Sequence, residues 1–214
     1  YNYTWENILN YNKTFAKDHN VSATLISSWS KNQSEKSSAY NEGFLYNDFL
    51  WYSLSSGTNP SVGSSYSHKN KLSFAARVNY SYKGRYLFTA SVRRDGVSQL
   101  YNNWDTFPAV ALAWRISDEK FMESTQSWLD NLKLRVGYGV TGNSAVNPYQ
   151  TAGSVTSTYA SIPFGVGNVS SNTIGTKTNI MPNYSLGWEK TSSLNVGVDF
   201  GVLENRISGS VEYY

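Results

Sequence analysis

The sequence predicts an all-β chain of about eight long antiparallel strands, forming a segment of a transmembrane β-barrel. Three observations lead there. Apolar and polar side chains alternate with period two over runs of about ten residues. Short and long connections alternate along the chain, which sends every long loop to one end of an antiparallel sheet. Aromatic residues, 15 % of the chain, recur at strand ends.

Composition narrows the alternatives. The 214 residues include no Cys, which excludes disulfides, Cys-based zinc sites and thiol chemistry. No apolar run approaches the ~18 residues of a membrane-spanning helix. Charged residues are 15 %, against ~25 % in an average globular chain. The 18 basic residues are scattered and the net charge is only +3, so no nucleic-acid partner is expected. The aromatic content argues against disorder. The first residues, Tyr1-Asn2-Tyr3-Thr4-Trp5, show neither Met nor a signal peptide, and the chain is expected to be a piece of a longer one.

Tyr1 to Lys13 and Val21 to Lys31 read as two weaker strands around a turn at Asp18-His19-Asn20. A long polar connection is expected at 32–70. Lys71 to Tyr82 is the clearest strand: Leu72, Phe74, Ala76, Val78 and Tyr80 share one face, opposite Ser73, Ala75, Arg77, Asn79 and Ser81. Lys83-Gly84 is a tight turn in which Gly supplies a positive φ. Arg85 to Arg94 then sets Tyr86, Phe88, Ala90 and Val92 against Arg85, Leu87, Thr89, Ser91 and Arg93. A second long connection is expected at 95–105. Thr106 to Ser117 places Val110, Leu112, Trp114 and Ile116 together, and the link 118–130 is expected to hold a helical turn capped by Ser117 or Asp118. Asn131 to Thr141 opposes Leu132, Leu134, Val136, Tyr138 and Val140 to Lys133, Arg135, Gly137 and Gly139. After a long connection at 142–187, Ser192 to Leu203 opposes Leu194, Val196, Val198 and Phe200 to Ser193, Asn195, Gly197 and Asp199. Glu204-Asn205 turns into a last strand, Arg206 to Tyr214, with Val211 and Tyr213 opposite Glu212.

Periodicity alone fits two architectures. In a soluble sandwich the apolar face is core; in a barrel it meets lipid and the polar face lines a wet lumen. Strand length favours the barrel, because ten residues at ~3.4 Å each, tilted by roughly 40°, span about 26 Å, close to the ~25 Å apolar band of such barrels. Loop alternation and the rings of Tyr80, Tyr82, Tyr86, Trp114, Tyr138 and Trp188 favour it too, since interfacial girdles use amphipathic aromatics. A self-contained eight-stranded anchoring or adhesive barrel remains open, as does a soluble glycan-binding β-sandwich; pairing of the first strand with the last discriminates the closed barrel.

Four ordered blocks carry a more specific signal: Lys83-Gly84-Arg85-Tyr86-Leu87-Phe88-Thr89-Ala90-Ser91-Val92-Arg93-Arg94-Asp95-Gly96; Phe107-Pro108-Ala109-Val110-Ala111-Leu112-Ala113-Trp114-Arg115-Ile116-Ser117; Leu132-Lys133-Leu134-Arg135-Val136-Gly137-Tyr138-Gly139-Val140-Thr141-Gly142-Asn143; and Trp188-Glu189-Lys190-Thr191 with Asn195-Val196-Gly197-Val198-Asp199-Phe200. Together they resemble the SusC/RagA family of TonB-dependent outer-membrane transporters of Bacteroidetes. Val97, and Asn183-Tyr184-Ser185-Leu186-Gly187 before Trp188-Glu189, depart from the family pattern. The resemblance implies that residues 1–214 are part of a 22-stranded barrel domain, with plug, TonB-contacting segment and further strands outside them. It implies import of an oligosaccharide or peptide across the bacterial outer membrane, a SusD-like surface lipoprotein partner, energy from the TonB complex, and no enzymatic activity or cofactor.

Candidate residues follow. Arg77, Arg93, Arg135 and Asp199 are expected to face the lumen, where Arg77 and Arg135 would meet plug or solute. Arg94, Asp95 and Gly96 form a strand-end polar cluster, read mainly as the place where the strand closes into a turn. In the segment 41–57, Trp51 and Tyr52 could stack on a solute, pack against a partner lid or build a small loop core, and Trp104 joins them as a loop aromatic. His19 and His68 read as loop histidines with no catalytic set, and Asp95 with Asp105 lack the further oxygen ligands of a metal site.

Overall fold

The computed structural model describes residues 1–46, 48–161 and 172–214. Its strands are β1 (Asn2–Phe15), β2 (His19–Tyr40), β3 (Ser61–Tyr82), β4 (Tyr86–Val97), β5 (Trp104–Arg115), β6 (Leu129–Asn143), β7 (Ser154–Ser161), β8 (Asn172–Ile180), β9 (Glu189–Val202) and β10 (Ile207–Tyr213). Eight of them make one antiparallel sheet in the order β1-β2-β3-β4-β5-β6-β9-β10, and β7-β8 is a separate hairpin. The eight strands expected from apolar alternation are these eight. The β7–β8 hairpin inside the third long connection was not expected. Asn47 and residues 162–171 of two expected loops lie outside the described residues.

The register keeps each apolar set on one face. Leu25, Ala76, Val92 and Pro108 lie side by side across β2 to β5, and Leu112, Val136 and Val196 across β5, β6 and β9. This face is bare. Only Val97, Leu100, Phe107 and Leu129 are buried apolar residues among those described, whereas Leu9, Leu25, Phe74, Leu112 and Leu194 are each at least 47 % exposed. Four buried side chains cannot make the core of a sheet this size, so the apolar face needs a non-aqueous neighbour. Among the described residues no second sheet covers it, which sets aside the sandwich. β1 and β10 are both edges with one neighbour each, which sets aside the closed eight-stranded barrel.

The short turns share one end. Gly84 has the positive φ expected at that turn, and Lys83 takes one as well, which makes the left-handed pair of a two-residue hairpin turn. The first turn is Ala16–Asp18 rather than Asp18-His19-Asn20: Ala16 and Lys17 take the left-handed conformation, and His19 already pairs with Phe15. Between β5 and β6, Ile116–Asp118 and Lys120–Thr125 are two 3-10 turns. Their N-cap positions are Arg115 and Glu119 and carry no side-chain cap bond, so Ser117 and Asp118 do not cap them. The extended backbone of Glu119 divides what was expected as one turn.

At the other end the strands outrun their apolar runs. β2 continues to Tyr40 and β3 begins at Ser61, so the expected connection 32–70 shrinks to 41–60. The expected loop 95–105 shrinks to 98–103. There Asn103 Nδ2 donates to the Val97 and Leu100 carbonyls at 2.8 and 2.6 Å, and Leu100 is buried. Gly96 lies within β4, so the strand does not close into a turn there.

Candidate functional site

The rings sort by height on the apolar face. Near the short turns, Tyr82 stacks on Tyr86, Tyr86 on Trp114, and Phe121 meets Trp114 edge-on. His19 joins them, with Nδ1 2.7 Å from the Tyr80 hydroxyl and its ring 4.7 Å from Tyr82; it is a strand-end residue, not a loop one. Glu119 ties the cluster down from the connecting segment. A hydrogen bond from Tyr86, then one from Trp114 Nε1 at 3.1 Å and the Arg85 guanidinium at 3.3 Å, hold its carboxyl below the ordinary carboxylate range. Ten positions along β5 from Trp114 stands Trp104, and ten along β1 from Phe15 stands Trp5. At ~3.4 Å per residue and a tilt near 40°, two such belts lie about 26 Å apart.

Trp104 is therefore the first residue of β5 on the apolar face, stacked on Phe74 at 6.3 Å, and not a loop aromatic. Gly96 makes this possible: a Cβ there would stand 2.6 Å from the indole. Arg94 also stands on the apolar face, its guanidinium 5.4 Å from the Trp104 ring. Asp95 points the other way. Arg94, Asp95 and Gly96 are thus split by the pleat and do not form one cluster. Trp188 does not join either belt; its Nε1 donates to the Asn103 carbonyl at 3.0 Å and its ring packs on Phe107.

The polar face holds two ionic groups. In the first, Arg93 Nε donates to both Asp95 carboxylate oxygens at 2.8 and 2.9 Å, and Lys71 Nζ lies 3.4 Å away. Asp95 and Ser73 are buried, at 5 % and 3 % exposure, and the Arg93 guanidinium reaches the Ser73 hydroxyl. In the second, Arg135 bridges Asp199 at 2.7 Å and Glu212 on the next strand, with Lys133 4.0 Å from Asp199. Gly197 lets this happen, because a Cβ there would press on the Arg135 guanidinium. Arg77 is exposed on the same face and has no ion-pair partner among the described residues. Between the groups, Ala111, Ala113, Gly137 and Gly197 keep the floor low and leave a cavity of about 500 Å³. Asp95 and Asp105 are cross-strand partners, but Arg93 and Lys71 take the first and Lys190, at 2.7 Å, the second. That arrangement is an ionic brace rather than a vacant ligand set.

The segment 41–57 is organised by Asn41, which sequence reading missed. Asn41 is 8 % exposed, donates to the Leu54 carbonyl at 2.6 Å and accepts from the backbone N–H groups of Glu42 and Asn59. The rings are left outside. Trp51 and Tyr52, edge-to-face at 5.2 Å, are exposed, as are Tyr46 and Phe49, so these aromatics do not form a loop core. His68 tethers the third long connection, its Nδ1 2.8 Å from the Tyr149 hydroxyl.

The family described as TonB dependent receptor-like, beta-barrel matches residues 1–214. TonB-dependent receptor P3 of Formosa agariphila is 35 % identical over 98 % of this chain and 20 % of its own length. TonB-dependent receptor SusC of Bacteroides thetaiotaomicron is 39 % identical over 70 % of this chain and 15 % of its own. The structure of the RagAB peptide transporter superposes with a TM-score of 0.83 at 25 % identity, over 99 % of this chain and 23 % of that one. The chain spans about a fifth of the length of the curated relatives it matches. With the family matched from end to end and eight antiparallel strands in the same arrangement, this chain belongs to the TonB-dependent receptor β-barrel family.

Proposed function

We propose that residues 1–214 form part of the wall of an outer-membrane importer driven by TonB, which takes up an oligosaccharide or a peptide together with a SusD-like surface lipoprotein. The observation that supports this most is the two-faced sheet: a bare apolar face of membrane height and a polar face carrying Arg77, Arg93, Arg135 and Asp199. On this reading the apolar face meets lipid and the polar face lines the lumen. The low floor between the ionic groups leaves room for a plug or a passing solute. The exposed Trp51 and Tyr52 stand at the long-loop end, where a surface lipoprotein or its ligand would arrive. On this reading the wall excludes lipid, orients charge and holds the loops. Energy coupling would fall to parts of the protein outside these residues.

The test is genetic. Deletion of the full-length gene in its own bacterium is expected to abolish growth on one class of oligosaccharide or peptide, and the intact gene supplied in trans to restore it only in a strain with functional TonB. Unchanged growth across both solute classes would contradict the reading.

A further inference from the structure

The apolar face is not uniformly apolar. Across β1 to β5 it carries no Asp or Glu between the short turns and the level of Lys31, yet near the long-loop end it holds two cations. Arg94 is one. Lys31, two residues beyond Trp29 on β2, is the other. Neither has an ion-pair partner among the described residues, although every cation of the two ionic groups on the opposite face has one. Arg94 is held in place by the Trp104 ring, a cation–π contact that fixes the guanidinium without neutralising it. Directly below it runs an apolar groove of about 720 Å³, lined by Leu9, Leu25, Phe74, Ala76 and Val92, with Arg94 at its rim.

We infer that this groove binds a phosphate-bearing lipid of the outer leaflet, its acyl chains lying along Leu9, Leu25 and Val92 and its phosphate on Arg94, with Lys31 as a second contact. Charge complementarity selects the head group. Two cations on this face without an ion-pair partner among the described residues call for an anion, and the planar guanidinium of Arg94 matches a phosphate through paired hydrogen bonds. The groove suits the tail, because its lining is apolar, no other described residue covers it, and an alkyl chain fills it without leaving a polar group unpaired. The site rests on the reading of the sheet as an outer-membrane wall, since only then does this end face the outer leaflet.

The experiment uses the full-length protein purified in mild detergent and three probes: bis-phosphorylated lipid A, the same lipid with its phosphates removed, and inorganic phosphate. Tryptophan fluorescence and native mass spectrometry read binding. Phosphorylated lipid A is expected to bind, and the double variant Arg94→Ala, Lys31→Ala to bind it at least about tenfold more weakly, while retention of the dephosphorylated lipid stays the same in both proteins. Equal binding of phosphorylated lipid by wild type and variant would overturn the site. So would competition by inorganic phosphate as effective as by the lipid, which would mark a free-anion site. Arg94→Lys keeps the charge and checks that lost binding is not lost folding; it should retain more binding than the alanine variant. Membrane insertion, followed by the heat-dependent gel shift of the barrel, is read separately. A protein that fails to insert contradicts the wall reading, and one that inserts but ignores lipid phosphate contradicts only the lipid site.

Discussion

Val110→Arg in the full-length protein is expected to cost ~2–4 kcal/mol of folding stability in a bilayer, the penalty for a cation at mid-height of a lipid-facing strand. Val110 lies between Ala90 and Tyr138 on the apolar face, near the middle of the span from Trp104 to Trp114, and is 41 % exposed. It touches too little protein for its removal alone to matter; the loss comes from placing a charge in hydrocarbon. Asn195→Arg is the matched control. Asn195 is exposed at the same height on the opposite face, in the row of Gly137, where water would solvate the new charge. Urea unfolding in liposomes should show a clear drop in midpoint for Val110→Arg and little change for Asn195→Arg.

Asp95→Ala should cost ~2–3 kcal/mol by the same assay, below the ~3–5 kcal/mol of a fully buried broken pair because the cations retain water. The carboxylate is nearly buried, with its side chain 7 % exposed, while Arg93 and Lys71 are 50 % and 40 % exposed. Its loss leaves those two cations close together and removes the Lys71–Asp95 ion pair that ties β3 to β4. Asp95→Asn retains an acceptor for Arg93 and should cost less. Both substitutions act at the level where β4 runs into the tight 98–103 loop, so loss of order there should accompany the loss of stability.

What was legible in the sequence follows from where lipid lies. Each of the eight sheet strands carries an apolar row because that row has no other neighbour, and period two survives from Leu72 to Tyr80 and from Leu194 to Phe200 for that reason. Beyond the membrane the constraint vanishes. Residues 32–40 and 61–70 are strand with water on both faces, and β7 and β8 are rich in Ser, Thr and Asn, so no hydrophobic period announced them. Arg94 was grouped with Asp95 by adjacency in sequence. The alternation Phe88, Ala90, Val92, Arg94 already assigns it to the apolar face, a signal that was present and outweighed by its charge. The Lys71–Asp95 contact was legible only through register, which the Lys83-Gly84 turn fixes. Packing of Trp188 on Phe107 joins segments about eighty residues apart and leaves no local pattern.

On the proposed reading, one face of this sheet meets lipid and the other a wet lumen. Spin labels introduced one at a time at successive positions of β5, from Val110 to Trp114, in the full-length protein in liposomes test it most directly. Labels at 110, 112 and 114 should be accessible to dissolved oxygen and shielded from a water-soluble nickel chelate, and labels at 111 and 113 should show the reverse. Equal accessibility of both sets to the nickel chelate, with no alternation along the strand, would contradict it.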